Sequence, residues 1–182
     1  PECRILFPGT YDRPDAVYQI VENAPEPLGN MMKDLIERRL ADPTLPMEEA
    51  FSQQLKEEKL ELPAGQFALF MNSMYAVDAY VRDYFRKAVL DALLAEKLPV
   101  TVFGEGWEKY SCGDEHSLRR EPAVPFALSF ERIAKAHVLL NVSPIFNRGM
   151  HDRVPAGMAN HAVVLTDENP YLRRTFTDGK EL

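Results

Sequence analysis

Three charged residues in a row, His151, Asp152 and Arg153, follow shortly after Gly149 and open the segment "HDRVPAGMANHAVVLTD", which reads as a short helix running into a buried strand. A helix start leaves backbone N–H groups without partners and carries partial positive charge, so it suits an anion such as phosphate. Asp152 has the character of an N-cap, and Pro155 falls in the first turn, where its missing N–H costs little. Arg153 adds a fork of donors that can hold two phosphate oxygens at once. Charged residues at helix starts also serve as solvated caps or surface ion pairs. Which role applies depends on what the rest of the chain places around them.

Four other short stretches follow apolar runs and share this potential: Gly9 and Thr10, then Gly104-x-Gly106 with Trp107, then Ser143 and Pro144, then Asp167 and Glu168. The two glycines of "GEGW" supply either a turn or a close backbone approach to a ligand, and without a third glycine and a following helix they make no dinucleotide fingerprint. Trp107 offers a flat ring that suits either lying on a base or packing at the sheet edge, and packing is the expectation. Asp167 and Glu168 read equally as solvated carboxylates.

Other chemistries lack their residues. His151 and His161 do not have the spacing of a helical zinc pair, and no cysteine accompanies them. The chain contains no Asp-x-Asp triplet to hold a divalent metal on a diphosphate, no G-x-S-x-G elbow and no Walker loop. No metal and no tightly bound cofactor is expected. A net charge of −7 argues against a general nucleic-acid binder or a binder of anionic membranes. No apolar run reaches the roughly 20 residues of a transmembrane helix, and the start "PECRILFPG" lacks the apolar segment of a signal peptide. Cys3 and Cys112, far apart in sequence, read as small apolar side chains in a reducing compartment, and a cytoplasmic location is expected.

The elements that must position these residues are legible in outline. A length of 182 residues with 46% apolar content suits one folded unit. "CRILFPGTY" gives a first strand at Cys3 to Phe7 that stops at Pro8-Gly9. From Arg13 to Leu98 strand signals vanish, and "NAPEP", "ADPTLP" and "ELPAG" divide a helical stretch into three or four pieces. In the longest, Phe70, Met74, Val77, Val81, Phe85, Ala88 and Ala92 form one apolar stripe that reads as core contact. Beyond it "LPVTVFGEGW", "ERIAKAHVLLNVSP" and "AGMANHAVVLTD" alternate strand and helix, with one strand at Val138 to Val142. The chain is therefore expected to be α/β, a Rossmann-like parallel sheet of about four strands with a helical insertion, 13–98, after the first strand. Ligands of such sheets sit at the carboxyl ends of the strands, where the stretches above fall.

These residues resemble a known family. "ILFPGTY", "VTVFGEGWEKY", "SFERIAKAHVLLNVSP" and "HDRVPAGMANHAVVLTDENPYLRRTFTDGKEL" look like the carboxyl-terminal, donor-binding half of group 1 glycosyltransferases with the GT-B fold, near the spore-maturation-protein type. The likeness covers Val100 to the end well and the helical stretch in outline. It implies that residues 1–182 form one donor-binding domain, a fragment of a two-domain transferase whose amino-terminal acceptor domain lies elsewhere. It further implies a nucleoside diphosphate sugar as substrate, transferred to an acceptor hydroxyl, with Gly9, Thr10, Gly104, Gly106, Ser143, Gly149, His151, Asp152, Arg153 and Asp167 toward the donor and Arg153 on the diphosphate. The catalytic base is not assigned. Relatives commonly carry Glu where Ala156 stands and Gly where His161 stands. An alternative from another class is a non-catalytic α/β interaction module whose helical stretch binds a partner.

Overall fold

The structure, a computed structural model, describes residues 3–113, 115–144, 146 and 148–181. The side chain of Cys3 lies outside the described residues. Five strands, β1 (Cys3–Pro8), β2 (Val100–Phe103), β3 (Leu118–Glu121), β4 (Ala136–Asn141) and β5 (Val163–Thr166), form one parallel sheet in the order β3-β2-β1-β4-β5. Ile5 stands beside Val100 on one side and Val138 on the other, and Leu139 is in register with Val164. Every neighbouring pair is parallel, so each connection must cross over, and seven of the eight helices among the described residues do most of that work.

Five of them fall between β1 and β2: α1 (Pro14–Glu22), α2 (Leu28–Ala41), α3 (Met47–Glu57), α4 (Ala64–Ser73) and α5 (Tyr75–Ala95). The insertion thus has one helix more than its Pro-rich interruptions predict. The expected single stripe also breaks at Met74, which separates α4 from α5, so Phe70 belongs to a different helix from Val77. Along α5 the buried face passes from Val77 and Val81 to Asp83, Arg86, Leu90 and Leu94, leaving Ala88 and Ala92 exposed. The physical reason is that α5 serves two cores. Its first half packs with Val21, Leu35 and Phe51 of the insertion, while Leu90 and Leu94 lie on Phe7, Val102 and Leu140 of the sheet. Each such buried Leu or Phe contributes about 1.5–3 kcal/mol.

The opposite sheet face is covered by α6 (Phe126–Ile133) and α7 (Arg153–Ala159), with α8 (Pro170–Thr175) packing at Val154 and Val164 through Leu172. A Cβ on Gly157 would meet Val164 and Leu139 side chains at 2.6 and 2.8 Å, so this glycine sets the distance of α7 from the sheet.

The fifth strand, β3, was not expected. "LRRE" has no apolar alternation, yet its backbone pairs with β2 from Val100↔Leu118 to Phe103↔Glu121. It is an edge strand, and a charged edge is a common way to keep such a strand from pairing with other chains. The strands otherwise shift by one or two residues at their ends, β4 ending at Asn141 rather than Val142.

Candidate functional site

The strand order reverses its direction of growth between β1 and β4, the position at which open α/β sheets bind ligands beyond the carboxyl ends of their strands. A cleft of about 420 Å³ lies there. Pro8, Gly9 and Thr10 after β1 and Phe103, Gly104 and Glu105 at the end of β2 line it, as do Phe126 and Phe130 of α6 and His151, Asp152, Arg153 and Ala156.

Its floor is held by backbone. The Gly9 N–H donates to the Phe103 carbonyl and the Tyr11 N–H to the Glu105 carbonyl, both at 2.9 Å, so the first two strand-end loops continue the sheet's pairing. Gly104 and Gly106 have φ of +135° and +85°, and a methyl group on either would overlap the carbonyl oxygen of Gly9 or Tyr11. Close approach of two loops therefore accounts for both glycines. Trp107, 2% exposed, donates its indole N–H to the Gly9 carbonyl at 2.6 Å and stacks on Tyr11. Packing is its role, as the sequence suggested.

Positive charge at this floor comes from two arginines. A Cβ on Gly9 would lie 3.0 Å from one Arg153 nitrogen and 3.5 Å from one of Arg86, so both guanidinium groups converge on this glycine. Arg153, anchored by Nη1 donating to Asn141 Oδ1 at 3.1 Å, lines the cleft. Arg86 donates to the Thr10 carbonyl, lies 3.8 Å from Asp83 and has a buried Nε without a partner among the described residues. Burial, together with the charges of Arg153 and Arg82, pushes Arg86 down to about 9, and burial also lowers Arg153. Buried Asp83, paired with Arg82 at 2.9 Å, and half-buried Asp167 supply the countercharge; burial raises both carboxyls.

The start of α7 differs from expectation. Asp152 is itself helical in φ and ψ and makes no side-chain cap bond; its carboxylate turns to His151. The N–H of Val154 is taken by the His151 carbonyl and that of Ala156 by the Asp152 carbonyl, while Pro155 has none. Few backbone donors remain open, and α7 has seven residues. Guanidinium groups, rather than a helix end, carry the charge here.

His151 is half-buried, with its ring edge-on to Phe146. Its Nδ1 touches an Asp152 oxygen and lies 3.3 Å from the Arg153 N–H. One nitrogen cannot donate to the first and accept from the second; the Asp152 contact is the closer, so we assign the proton to Nδ1 and the lone pair to Nε2. Burial, then the charge of Arg153, lowers His151 to about 4, which keeps it neutral at neutral pH.

Gly9, Thr10, Gly104, His151, Asp152 and Arg153 are thus gathered in one cleft. Gly106, Ser143, Gly149 and Asp167 are not part of its lining. Asp167 accepts the Ser143 N–H at 3.0 Å, and Ser143 Oγ donates to Asn141 Oδ1 at 3.2 Å, so these two fix the end of β4 behind Arg153. The Gly149 carbonyl accepts from buried Asn169 at 3.1 Å. Glu168 forms a surface pair with Arg173. Sequence reading missed Arg86, Asn141, Glu105 and the aromatic wall of Phe126 and Phe130, whose rings stand 5.1 Å apart. Two signals were available: a charged Asp83–Arg86 pair inside an apolar stripe, and two Phe at helical i, i+4 spacing. Among the described residues no group of three His, Cys, Asp or Glu side chains converges as a metal site, and no helix is long and apolar enough to cross a membrane.

No curated protein and no solved structure matches the chain. A family model described as glycosyl transferase-like does, over residues 82–182, more than half of the chain. The match begins at Arg82, one residue before Asp83, and takes in the part of α5 that carries Arg86 together with β2 to β5 and their loops. The buried arginine network and all but the first of the strand ends that shape the cleft fall inside that match, and the chain belongs to the glycosyl transferase-like family.

Proposed function

We propose that the cleft holds the nucleoside diphosphate of a sugar donor and that the chain is the donor-binding half of a glycosyltransferase of the GT-B arrangement, as its resemblance to group 1 enzymes near the spore-maturation-protein type implies. The observation that carries this reading is the convergence of Arg153 and Arg86 on Gly9 at the reversal of strand order. A diphosphate is the leaving group of such a transfer, and fixed cationic donors at the point where its charge develops stabilise the transition state more than the ground state. Arg153 meets the phosphate oxygens directly. Arg86 stands behind Gly9, holds the Thr10 carbonyl and adds charge that an arriving anion relieves.

Beside this polar floor, Val124, Phe126, Phe130 and Ile133 form an apolar wall suited to a flat base. The acceptor hydroxyl would be presented by a second domain of the same protein, which also supplies the base, if one is used. The reaction reads as metal-independent and cytoplasmic.

Trp107 is the sole tryptophan and is bonded to the Gly9 carbonyl, so its fluorescence reports on this floor. Titration with UDP and GDP, followed by fluorescence and calorimetry, should give saturable binding. Arg153→Ala should weaken it by about ten- to a hundredfold, the loss of a charge-assisted contact worth roughly 1.5–3 kcal/mol. Unchanged affinity in that variant would remove the diphosphate from this site.

A further inference from the structure

We infer that His151 is a proton-linked contact of the diphosphate: it takes up one proton as the anion enters the cleft and donates it from Nε2 in a hydrogen bond to a phosphate oxygen. The inference rests on the donor-cleft reading above.

The ring is held so that one nitrogen faces the protein and the other faces the cleft. Nδ1 lies against the Asp152 carboxylate and the Arg153 N–H, and Phe146 packs edge-on to the ring at 5.0 Å. Nε2 has no hydrogen-bond partner among the described residues, yet it is not one of their buried, unpartnered polar atoms, as Arg86 Nε is. It is therefore open to solvent. The half-buried ring lines the cleft beside Arg153, so the solvent that Nε2 reaches is where the phosphates would lie.

The groups around the ring decide its charge. Asp152, from the same loop, favours the imidazolium, whereas Arg153 of α7 and Arg86 of α5 oppose it. The nearby carboxylates of Asp83 and Asp167 are engaged elsewhere, by Arg82 and by the Ser143 N–H. Glu105, after β2, lines the cleft but is exposed, and α6 contributes Phe126, Ser129, Phe130 and Ile133, none of which titrates. In the ligand-free chain, burial and the two cations prevail and His151 is neutral at neutral pH.

A diphosphate reverses that balance. It neutralises the arginines that repel a proton on the ring and places an opposite charge beside Nε2. The imidazolium then has an acceptor at each nitrogen, Asp152 at Nδ1 and phosphate at Nε2, and both bonds are charge-assisted. Its proton comes from water. During transfer the bond from the sugar to the diphosphate breaks with its electron pair left on the phosphate oxygen, the acceptor oxygen bonds to the same carbon, and the acceptor's proton leaves to a base or to water. His151 keeps its own proton and meets the growing charge with a fixed cationic donor.

The sign of the pH dependence follows. Below its bound value and above about 4, where His151 titrates in the ligand-free chain, only the complex holds the proton, so affinity rises as pH falls. Calorimetry with UDP, GDP, ADP and CDP in buffers of high and low ionisation enthalpy counts the protons taken up on binding. Comparing wild type with His151→Gln cancels proton exchange by the nucleotide's own phosphates, and Gln keeps an N–H donor that cannot gain a proton. Wild type should take up a proton that His151→Gln does not, and from about pH 8 to 6 its affinity relative to the variant should rise by up to about tenfold per pH unit. Equal proton counts with parallel pH profiles overturn the inference even if His151→Gln binds more weakly, because a merely structural role lowers affinity without moving the count. Arg153→Ala separates the two levels. If it weakens binding while wild type and His151→Gln take up protons alike, the donor cleft stands and the role of His151 falls; if none of the nucleotides binds, both fall.

Discussion

The Arg153 guanidinium donates to the Asn141 side-chain oxygen at 3.1 Å, and that same oxygen accepts the Ser143 hydroxyl at 3.2 Å. Asn141 is 2% exposed, and its amide N–H donates to Thr166 at 2.9 Å. It is the joint between β4, β5 and the cation of the cleft. Asn141→Ala should cost about 1–3 kcal/mol, since it leaves buried donors without partners. It should also weaken nucleotide binding, because Arg153 loses the contact that aims it. Thermal melts and UDP titration check both effects together; a stability loss with unchanged affinity would mean that Arg153 finds its place without Asn141.

Arg86 illustrates a conflict between stability and binding. A buried guanidinium near Arg153 and Arg82, with an Nε unpartnered among the described residues, is costly in the empty protein. Replacing a buried ion pair by apolar side chains of similar volume is often stabilising by about 1–4 kcal/mol, whereas stripping a buried carboxylate of its last partner is costly; Asp83 keeps Arg82 at 2.9 Å when Arg86 alone is removed. Arg86→Met should accordingly raise the melting temperature of the ligand-free chain, about 2–4 °C for each kcal/mol at this size, and weaken nucleotide binding. Differential scanning calorimetry with and without UDP decides the matter, and a variant that melts lower and binds as before would show Arg86 to be a structural tie to the Thr10 carbonyl.

Acid should act through His151. Its unfolded value is near 6.5 and burial beside Arg153 holds the folded value at about 4, so between these limits the unfolded chain binds the extra proton. This contribution to stability is complete above pH 6.5 and is lost as pH falls toward 4. Asp83 and Asp167, raised by burial, act in the opposite sense, so the informative quantity is the difference between wild type and His151→Gln. Melting temperatures of the two should draw away from their neutral-pH difference between pH 6.5 and 4, with wild type falling faster. Parallel curves would place the His151 titration where it is in the unfolded chain.

Positive φ separates two kinds of position. His161 closes α7 with φ of +61°, in the left-handed region that favours glycine, and it is exposed. His161→Gly should stabilise by about 0.5–1 kcal/mol without altering the cleft, the relief of strain exceeding the added freedom of the unfolded chain. Gly106→Ala should do the reverse and cost about 2–4 kcal/mol, because its methyl group meets a backbone oxygen that cannot move without opening the loop pairing. Urea titrations of both variants test the pair.

How much of this could be read from residues alone follows their sequence separation. Alternation of short apolar strands with helices sufficed to predict a parallel α/β sheet, since period and turn residues are local properties of the chain. It also directed attention to the loops after the strands, and Gly9, Thr10, Gly104, His151, Asp152 and Arg153 do meet in one cleft. The rest needed contacts between distant segments. β3 is a strand because β2 offers it backbone partners, not because "LRRE" prefers to be one. Arg86 reaches the Thr10 carbonyl across 76 residues, and only the packing of α5 on the sheet turns that charged position inward. Asp152 abandons the cap for His151, a choice between two nearby partners that periodicity does not resolve. The sequence by itself determined the class of fold and most of the loops that matter, through local patterning; the tertiary structure decided which charges share those loops, because a buried charge is placed by all of its neighbours at once.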